Sequence, residues 1–338
     1  MLMINYSIIV AVFNGKQYIK RCIESVISQR NADFELIIVD DGSTDGTSEI
    51  CDIYKNTEKV KVIHQENKGH TVARKRGLFE AKGIYIIFLD ADDWLSDDFL
   101  IKIEDAINGV DVPPDIVSFN YNRIDENGIC NKIFTDFKSG LYDKQSLNKQ
   151  LYPYMLCDSR KQFYTFGVFP TLWSKLFKRK IILNVINMLD DRVVLGEDAF
   201  CVFLSLYRCE NLLIMDECLY NYQINSQSLS RKYAKDNFEK LSILCNLMDS
   251  VYPKELRTQV LQYKLSMLMG AITNETRGPK KTRDIIIEIK ERCEENVFSD
   301  CVKNTKVSHM PFFRVIIWNL LKMRLYSLLV YILRILKA

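Results

Sequence analysis

An apolar run, Ile86-Ile87-Phe88-Leu89, ends in three carboxylates within Asp90-Ala91-Asp92-Asp93. Acidic side chains packed at one strand end repel each other unless positive charge sits among them. A divalent cation supplies that charge, because Mg²⁺ and Mn²⁺ favour carboxylate oxygens and take substrate phosphates as further ligands. The stretch reads as a metal–diphosphate site, or more plainly as a solvated acidic turn. A second chemical stretch is Gly196-Glu197-Asp198-Ala199-Phe200. Asp198 opens a helical pattern, where the helix dipole favours an ionised carboxylate. Such a group can take a proton from a hydroxyl, although a capping acid has the same sequence. Asp40-Asp41-Gly42-Ser43 is a third acidic stretch, equally readable as a turn with capping side chains.

The elements that must position these residues form an α/β pattern. Ser7–Val12, Phe34–Val39, Val60–Ile63 and Ile84–Leu89 are β-branched, apolar runs of the kind buried in parallel sheets. Helical spacing marks Tyr18–Ile27 and Thr71–Ala81, and Asp45 or Thr47 can cap a helix between them. Strand–helix alternation predicts a parallel sheet with right-handed crossovers. Ligands of such sheets bind beyond the carboxyl ends of the strands. Asn14, Asp40-Asp41 and Asp90–Asp92 all fall at such ends and should meet on one rim. Neither G-x-G-x-x-G nor G-x-x-x-x-G-K-[ST] occurs, so no glycine-rich loop holds phosphates and the task is left to a metal.

Further along, Asp97–Ile107 reads as a helix, Asp115–Asn120 as a strand, and Glu126-Asn127-Gly128 as the turn of a hairpin. Residues 136–165 are irregular and aromatic-rich, with Tyr142, Tyr152, Tyr154, Phe163 and Tyr164. They suit a subdomain core or a face that stacks on sugar rings. From Lys235 onward only helices are expected, over Asn237–Val251, Glu255–Thr276 and Thr282–Phe298. The segment 311–338 is densely apolar, carries Arg314, Lys322, Arg324, Arg334 and Lys337, and has no acid. Its longest uncharged run, Leu325–Leu333, is too short for a membrane span, which needs about 20 residues. As one basic amphipathic helix it places Asn319, Lys322, Ser327, Arg334 and Lys337 on a common side, with Arg314 and Arg324 off that stripe. That suits peripheral contact with an anionic membrane, or packing on the domain or on another subunit of a homo-oligomer.

With 338 residues and 48% apolar content, the chain can bury a large core. A net charge of +3 argues against a nucleic-acid partner. The ten cysteines form no C-x-x-C pair and the three histidines complete no zinc pattern. The first residues lack the basic region of a signal peptide, so a cytoplasmic location with free thiols is expected.

Four segments in order carry a resemblance: Ser7–Asn14, Phe34–Asp45, Asn67-Lys68-Gly69 with Ala73-Arg74, and Gly83–Asp93. Together they resemble the nucleotide-sugar-binding half of family-two glycosyltransferases, which have the GT-A fold. The likeness continues more loosely through Trp173–Phe177, Gly196–Phe200 and Tyr220–Gln223, with Ser228-Leu229-Ser230. It implies an α/β GT-A domain over 1–232 with a mostly parallel central sheet. Residues 1–120 would be the donor-binding half and 121–232 the acceptor half, followed by a helical region over 233–338.

The resemblance also implies roles. Asp90-Ala91-Asp92 is similar to the DXD element, with Asp92 the direct ligand of Mn or Mg and Asp90 beside it. Asp40 and Asp41 would meet the nucleoside of a UDP-sugar, since a carboxylate accepts the imide N–H of uracil that cytosine lacks. Backbone at Val12, Phe13 and Asn14 would line the base pocket. Arg74 would neutralise the acidic rim or approach the diphosphate, unless it is a structural partner of Asp90. Asp198 takes the position of the general base, with Glu197 as its neighbour. Tyr222-Gln223 departs from the family pattern, which often has arginine at the second place, so Arg231 or Lys232 would have to meet the leaving diphosphate. The implied enzyme is an inverting hexosyl- or N-acetylhexosaminyltransferase of bacterial surface-polysaccharide synthesis, peripheral on the inner face of the cytoplasmic membrane. Its acceptor would be a glycan or an undecaprenyl-diphosphate-linked glycan. The rival expectations are a silent nucleotide-sugar-binding protein and a sugar nucleotidyltransferase.

Overall fold

Residues 6–12 are apolar except at Ser7, and a strand without a polar face must be covered on both sides. They form β1 (Tyr6–Val12), whose neighbours on either side are β2 (Phe34–Asp40) and β4 (Tyr85–Asp90). The computed structural model describes residues 5–30, 33–225, 233–306 and 309–336. The chain divides into two units, one made of Met1–Lys149 and Phe169–Ser226, the other of Gln150–Val168 and Gln227–Ala338. Residues 150–168 thus group with the C-terminal helices.

The sheet of the first unit adds β3 (Val60–His64), β5 (Trp94–Leu95), β6 (Ile116–Ile124), β7 (Cys130–Ile133), β8 (Gly140–Asp143), β9 (Lys175–Lys178) and β10 (Asn211–Gln223). Its order is β3-β2-β1-β4-β9-β6-β10-β5, with β7 on β6 and β8 on β10. Strands β1 to β4, β6 and β10 run in one direction, and β9 is the antiparallel strand between β4 and β6. The sheet is therefore mostly parallel, as the strand–helix alternation predicts. Register brings the rim together, because Val12 lies beside Asp40 and Ala11 beside Asp90.

Helices α1 (Ile19–Ile27), α2 (Thr47–Ile53), α3 (His70–Glu80), α4 (Phe99–Asn108), α5 (Arg179–Ile186) and α6 (Glu197–Arg208) complete this unit. Helix α3 packs on β1 and β2. Gly77 permits the close approach, since a Cβ there would stand 2.4 Å from Cγ2 of Ile9. The consequence is that Arg74, one turn earlier, reaches the carboxyl rim while 9% exposed.

The second unit contains α7 (Asn237–Val251), α8 (Arg257–Arg277), α9 (Thr282–Glu294), α10 (Asn296–Asn304), α11 (Phe312–Lys322) and α12 (Tyr326–Ile335). Leu265, Leu268 and Ile272 of α8 share a core with Phe238, Phe298 and Leu329. Two expectations are corrected in this unit. Thr282–Phe298 is broken by Glu295, whose extended backbone separates α9 from α10. The expected single helix over 311–338 is also two, because Arg324 adopts φ +57° and the Leu325 N–H bonds back to Leu320 O at 2.9 Å. A left-handed residue of this kind ends a helix. The basic stripe therefore does not exist as one helical face. Arg334 instead donates to Lys280 O across 2.6 Å and to Thr282 Oγ1, and Lys337 lies outside the described residues.

Candidate active site

The site begins with two loops held together at the rim. Asn14, in the left-handed region at φ +52°, donates its N–H to Ser43 Oγ at 2.9 Å and accepts from Thr44 N at 2.8 Å. Gly15 N–H donates to Thr47 Oγ1 at 2.9 Å, and Lys16 N–H to Asp45 Oδ2 at 3.1 Å. Asp45 also accepts from Thr47 N at 3.0 Å at the start of α2. Beside this clasp Val12 is buried and Phe13 exposed.

Asp40 and Asp41 are each only 2% exposed. Asp40 accepts from Ser43 N at 3.1 Å and Ser48 Oγ at 2.6 Å, and lies 2.8 Å from His64 Nδ1. Burial works to raise its pKa, yet these donors together hold it below the ordinary carboxylate range. Asp41 accepts from Gln65 Nε2, Lys68 N and Gly69 N at 2.8 to 2.9 Å. The pair expected to face a nucleoside thus orders two loops, 43–48 and 65–69, and Gly69 immediately precedes α3.

Arg74 is the node of the site. Its Nη2 donates to Asp90 Oδ1 at 2.7 Å and its Nη1 to Asp198 Oδ1 at 2.8 Å, with Glu197 Oε1 at 3.8 Å. His70 Nε2, one turn before Arg74 on α3, lies 2.7 Å from Glu197 Oε1. Gly196, at φ +81°, turns the chain into α6 so that Glu197 and Asp198 are its first residues. Asp198 Oδ2 accepts from Leu172 N at 3.3 Å. Burial raises the Asp198 carboxyl to about 6, against the pull of Arg74. The helix dipole alone predicts a fully ionised group; desolvation places it close to the working range of a base. Glu197 is also raised by burial, but the His70 contact and Arg74 outweigh this and keep it below the usual glutamate range.

The acidic turn separates into three roles. Asp90 is bound by Arg74. Asp93, 1% exposed, accepts from Tyr220 Oη at 2.6 Å and Gln223 N at 2.8 Å. It ties the turn to β10, and burial raises its pKa well above normal. The Asp92 carboxylate makes no hydrogen bond to another residue among the described residues, and burial and Asp90 raise its pKa. An unpartnered, partly buried carboxylate beside another is a donor set that fits a hard cation taking its other ligands from water and phosphate. No group of three such side chains clusters among the described residues, so a cation would draw only part of its shell from the protein.

Arg21 is a feature that composition and motif give no reason to single out. Its guanidinium stacks 3.6 Å above Trp94, donates to Asp92 O at 3.0 Å and reaches Gln223 Oε1 at 3.5 Å. Trp173 stacks on Tyr220 and Tyr222 with centroids 4.4 and 5.6 Å away. Of the aromatics of the variable segment, Tyr142, Tyr152 and Phe163 are buried, as a subdomain core requires, and Tyr154 and Tyr164 are half-buried. Arg231, Lys232 and Ser228–Ser230 lie outside the described residues.

This sheet, with an acidic turn and a helix-start carboxylate on its carboxyl rim, has the GT-A architecture. A crystal structure of S. aureus TarS 1–349 in complex with UDP-GlcNAc shares it, with TM-score 0.68 and 16% identity over 98% of this chain and 90% of that one. The model of glycosyl transferase family 2 matches residues 7–169. The glycosyltransferase GlyA of Streptococcus pneumoniae is 28% identical over 276 residues, 78% of this chain but 38% of GlyA. EpsH of Bacillus subtilis is 27% identical over 311 residues, covering 88% of this chain and 86% of EpsH. Residues 7–169 thus carry the glycosyl transferase family 2 match, and these likenesses together support a family-2 glycosyltransferase of GT-A fold.

Proposed function

We propose that this protein is an inverting glycosyltransferase that moves a hexosyl or N-acetylhexosaminyl group from a UDP-sugar to a hydroxyl of a glycan or lipid-linked glycan. The observation that carries the reading is Asp198, with its carboxyl raised to about 6 and paired through Arg74 with the acidic turn at Asp90. In the proposed step the acceptor oxygen attacks the anomeric carbon as its proton passes to Asp198. The carbon–oxygen bond to the diphosphate breaks, and UDP leaves with the electron pair. Asp92 and Asp90 would hold Mn²⁺ or Mg²⁺, which supplies Lewis-acid neutralisation of the diphosphate. Arg74 keeps Asp198 and Asp90 apart, and Glu197 with His70 steadies the start of α6.

The donor assignment draws support from the TarS complex with UDP-GlcNAc, a likeness of fold. Val12, Phe13 and Asn14 are the proposed edge of the base pocket, and Asp41 is the proposed partner of the uracil imide. Asp40 shapes the loop beneath it.

A location on the inner face of the cytoplasmic membrane is part of the same proposal. Residues 310–336 contain no acid, and Phe312, Met323, Leu325, Leu328 and Ile335 are exposed. No helix among the described residues is long and apolar enough to cross a membrane. Basic and apolar side chains on short helices suit an anionic lipid surface, where a lipid-linked acceptor of surface-polysaccharide synthesis would be met. The deciding experiment is a donor panel with Mn²⁺ that reads release of UDP, repeated with chelator. Pyrophosphate release would instead indicate nucleotidyl transfer. Binding without turnover, over a broad acceptor panel, would mark a silent binding protein.

A further inference from the structure

Lys175 opens β9 and is 0% exposed, yet it forms no ion pair among the described residues. A buried ammonium is costly unless its protons are satisfied. Here Nζ donates to Phe169 O at 2.6 Å, Ser174 Oγ at 2.9 Å and Thr171 O at 3.3 Å. Two of the three acceptors are carbonyls, which only a donor can satisfy. Burial pulls the ammonium down to about 7, and Asp198 is the charge that opposes this.

The contact with Thr171 is the informative one. Thr171 O and Leu172 N belong to a single peptide group, which is planar and rigid. Lys175 at 3.3 Å and the Ser174 hydroxyl at 3.1 Å hold the oxygen of that group, and the N–H on its other side donates to Asp198 Oδ2 at 3.3 Å. Fixing one end of the plane fixes the direction of the other, and a cation on the carbonyl polarises the N–H toward the carboxylate. Other titratable groups face Asp198 as well. Arg74 comes from α3, Asp90 from the end of β4, and Glu197 and Cys201 from α6. Arg74 already divides its guanidinium between Asp198 and Asp90. The peptide relay reaches the other oxygen.

We infer that Lys175 is a positioning residue for Asp198: through the 171–172 peptide it aims an N–H at the carboxylate and, as a buried cation, favours its ionised form. The proton that Asp198 takes from an acceptor would then be received by a base whose second oxygen is held by backbone. The inference rests on the reading of Asp198 as the general base.

The test is a pH titration of the Leu172 amide in protein labelled with ¹⁵N-leucine, with the resonance assigned by its loss in L172P. It is made without substrate, so absence of transferase activity would end the functional reading and leave this one testable. In the wild type the amide shift should show a step near 6 from Asp198 and a second near 7 from Lys175. In K175M one step should remain, with the Asp198 midpoint raised by about one pH unit, the lower range for loss of a nearby opposite charge. K175Q keeps a donor beneath the turn without the charge and should show the same rise, which covers a failure of K175M to fold. A merely structural lysine would alter intensity or stability and leave the midpoint in place. An unmoved midpoint in the folded variant overturns the inference. Where UDP release is measurable, the acid limb of its pH profile should move by the same amount with donor KM unchanged.

Discussion

Arg74 and Asp198, 124 residues apart in sequence, meet across 2.8 Å through a guanidinium that also grips Asp90 at 2.7 Å. One cation thus serves carboxylates from two elements, α6 and β4. Removing it would leave Asp90, Glu197 and Asp198, all part-buried, facing one another. Breaking a fully buried pair costs about 3–5 kcal/mol, and the partial exposure of Asp90 and Asp198 sets the cost here at or below the lower end. R74M should therefore lower the urea midpoint sharply. R74K should recover only part, since an ammonium lacks the fork that spans two carboxylates. Equal midpoints for wild type and R74M would remove Arg74 from its place as the node.

Asp198 gives a pH dependence with a definite sign. Its carboxyl is raised to about 6 by burial, and a base acts only when ionised. Transfer should rise through about pH 6 and level off above it. The contribution of this group to stability runs the other way. A folded pKa above the unfolded value favours the folded state at low pH, and that gain is lost as pH passes about 6. D198N should lose about 10²–10⁴ in turnover, the usual span for a general base. UDP affinity measured by calorimetry should change little. A rate that is flat from pH 5 to 8 would reject Asp198 as the base.

Much of this site is legible in the sequence because the first strands obey simple rules. The run over Ser7–Val12 is apolar and buried, and its end points to the rim whatever lies beyond. Asp90 and Asp198 announce themselves as charges at a strand end and a helix start. What periodicity cannot show is which charges meet. His70 and Lys175 look like ordinary surface residues until α3 and β9 bring one to Glu197 and bury the other. The strand β10 is hidden for a different reason. Asp216 and Glu217 interrupt its apolar pattern where the pairing register with β6 shifts between Ile214 and Cys218. The break at Arg324 is equally silent, since arginine is a good helix former and only the packed turn selects its left-handed backbone.

His70 makes a milder prediction. Its side chain is 41% exposed, so its contact with Glu197 is partly screened. H70A should cost about 0.5–1 kcal/mol, near the upper end for exposed pairs. Glu197 is held below its ordinary pKa, so the stabilisation is present above the ordinary glutamate range and lost as pH falls through the depressed value. The gap in urea midpoint between wild type and H70A should therefore narrow as pH falls below the ordinary glutamate range. A gap that keeps widening below that range would mean that His70 acts elsewhere.

Asp92 and Asp93 are adjacent and chemically identical, yet their surroundings predict opposite outcomes. Asp93 holds Tyr220 and Gln223 at 2.6 and 2.8 Å, so D93A strands two donors, one of them on a buried tyrosine. A buried donor left unsatisfied costs about 1–3 kcal/mol, and thermal unfolding should show the loss with or without ligand. The Asp92 carboxylate has no hydrogen bond to another residue among the described residues and is repelled by Asp90. D92A should therefore leave the melting temperature unchanged or raise it. It should also abolish the extra stability that Mn²⁺ with UDP confers on the wild type, because a ligand stabilises only the state that binds it. Chelator should remove that increment from the wild type and from no variant lacking Asp92. A D92A protein that still gains stability from Mn²⁺ and UDP, or one that unfolds as readily as D93A, would show that Asp92 is a structural residue of the turn and that the cation is bound elsewhere.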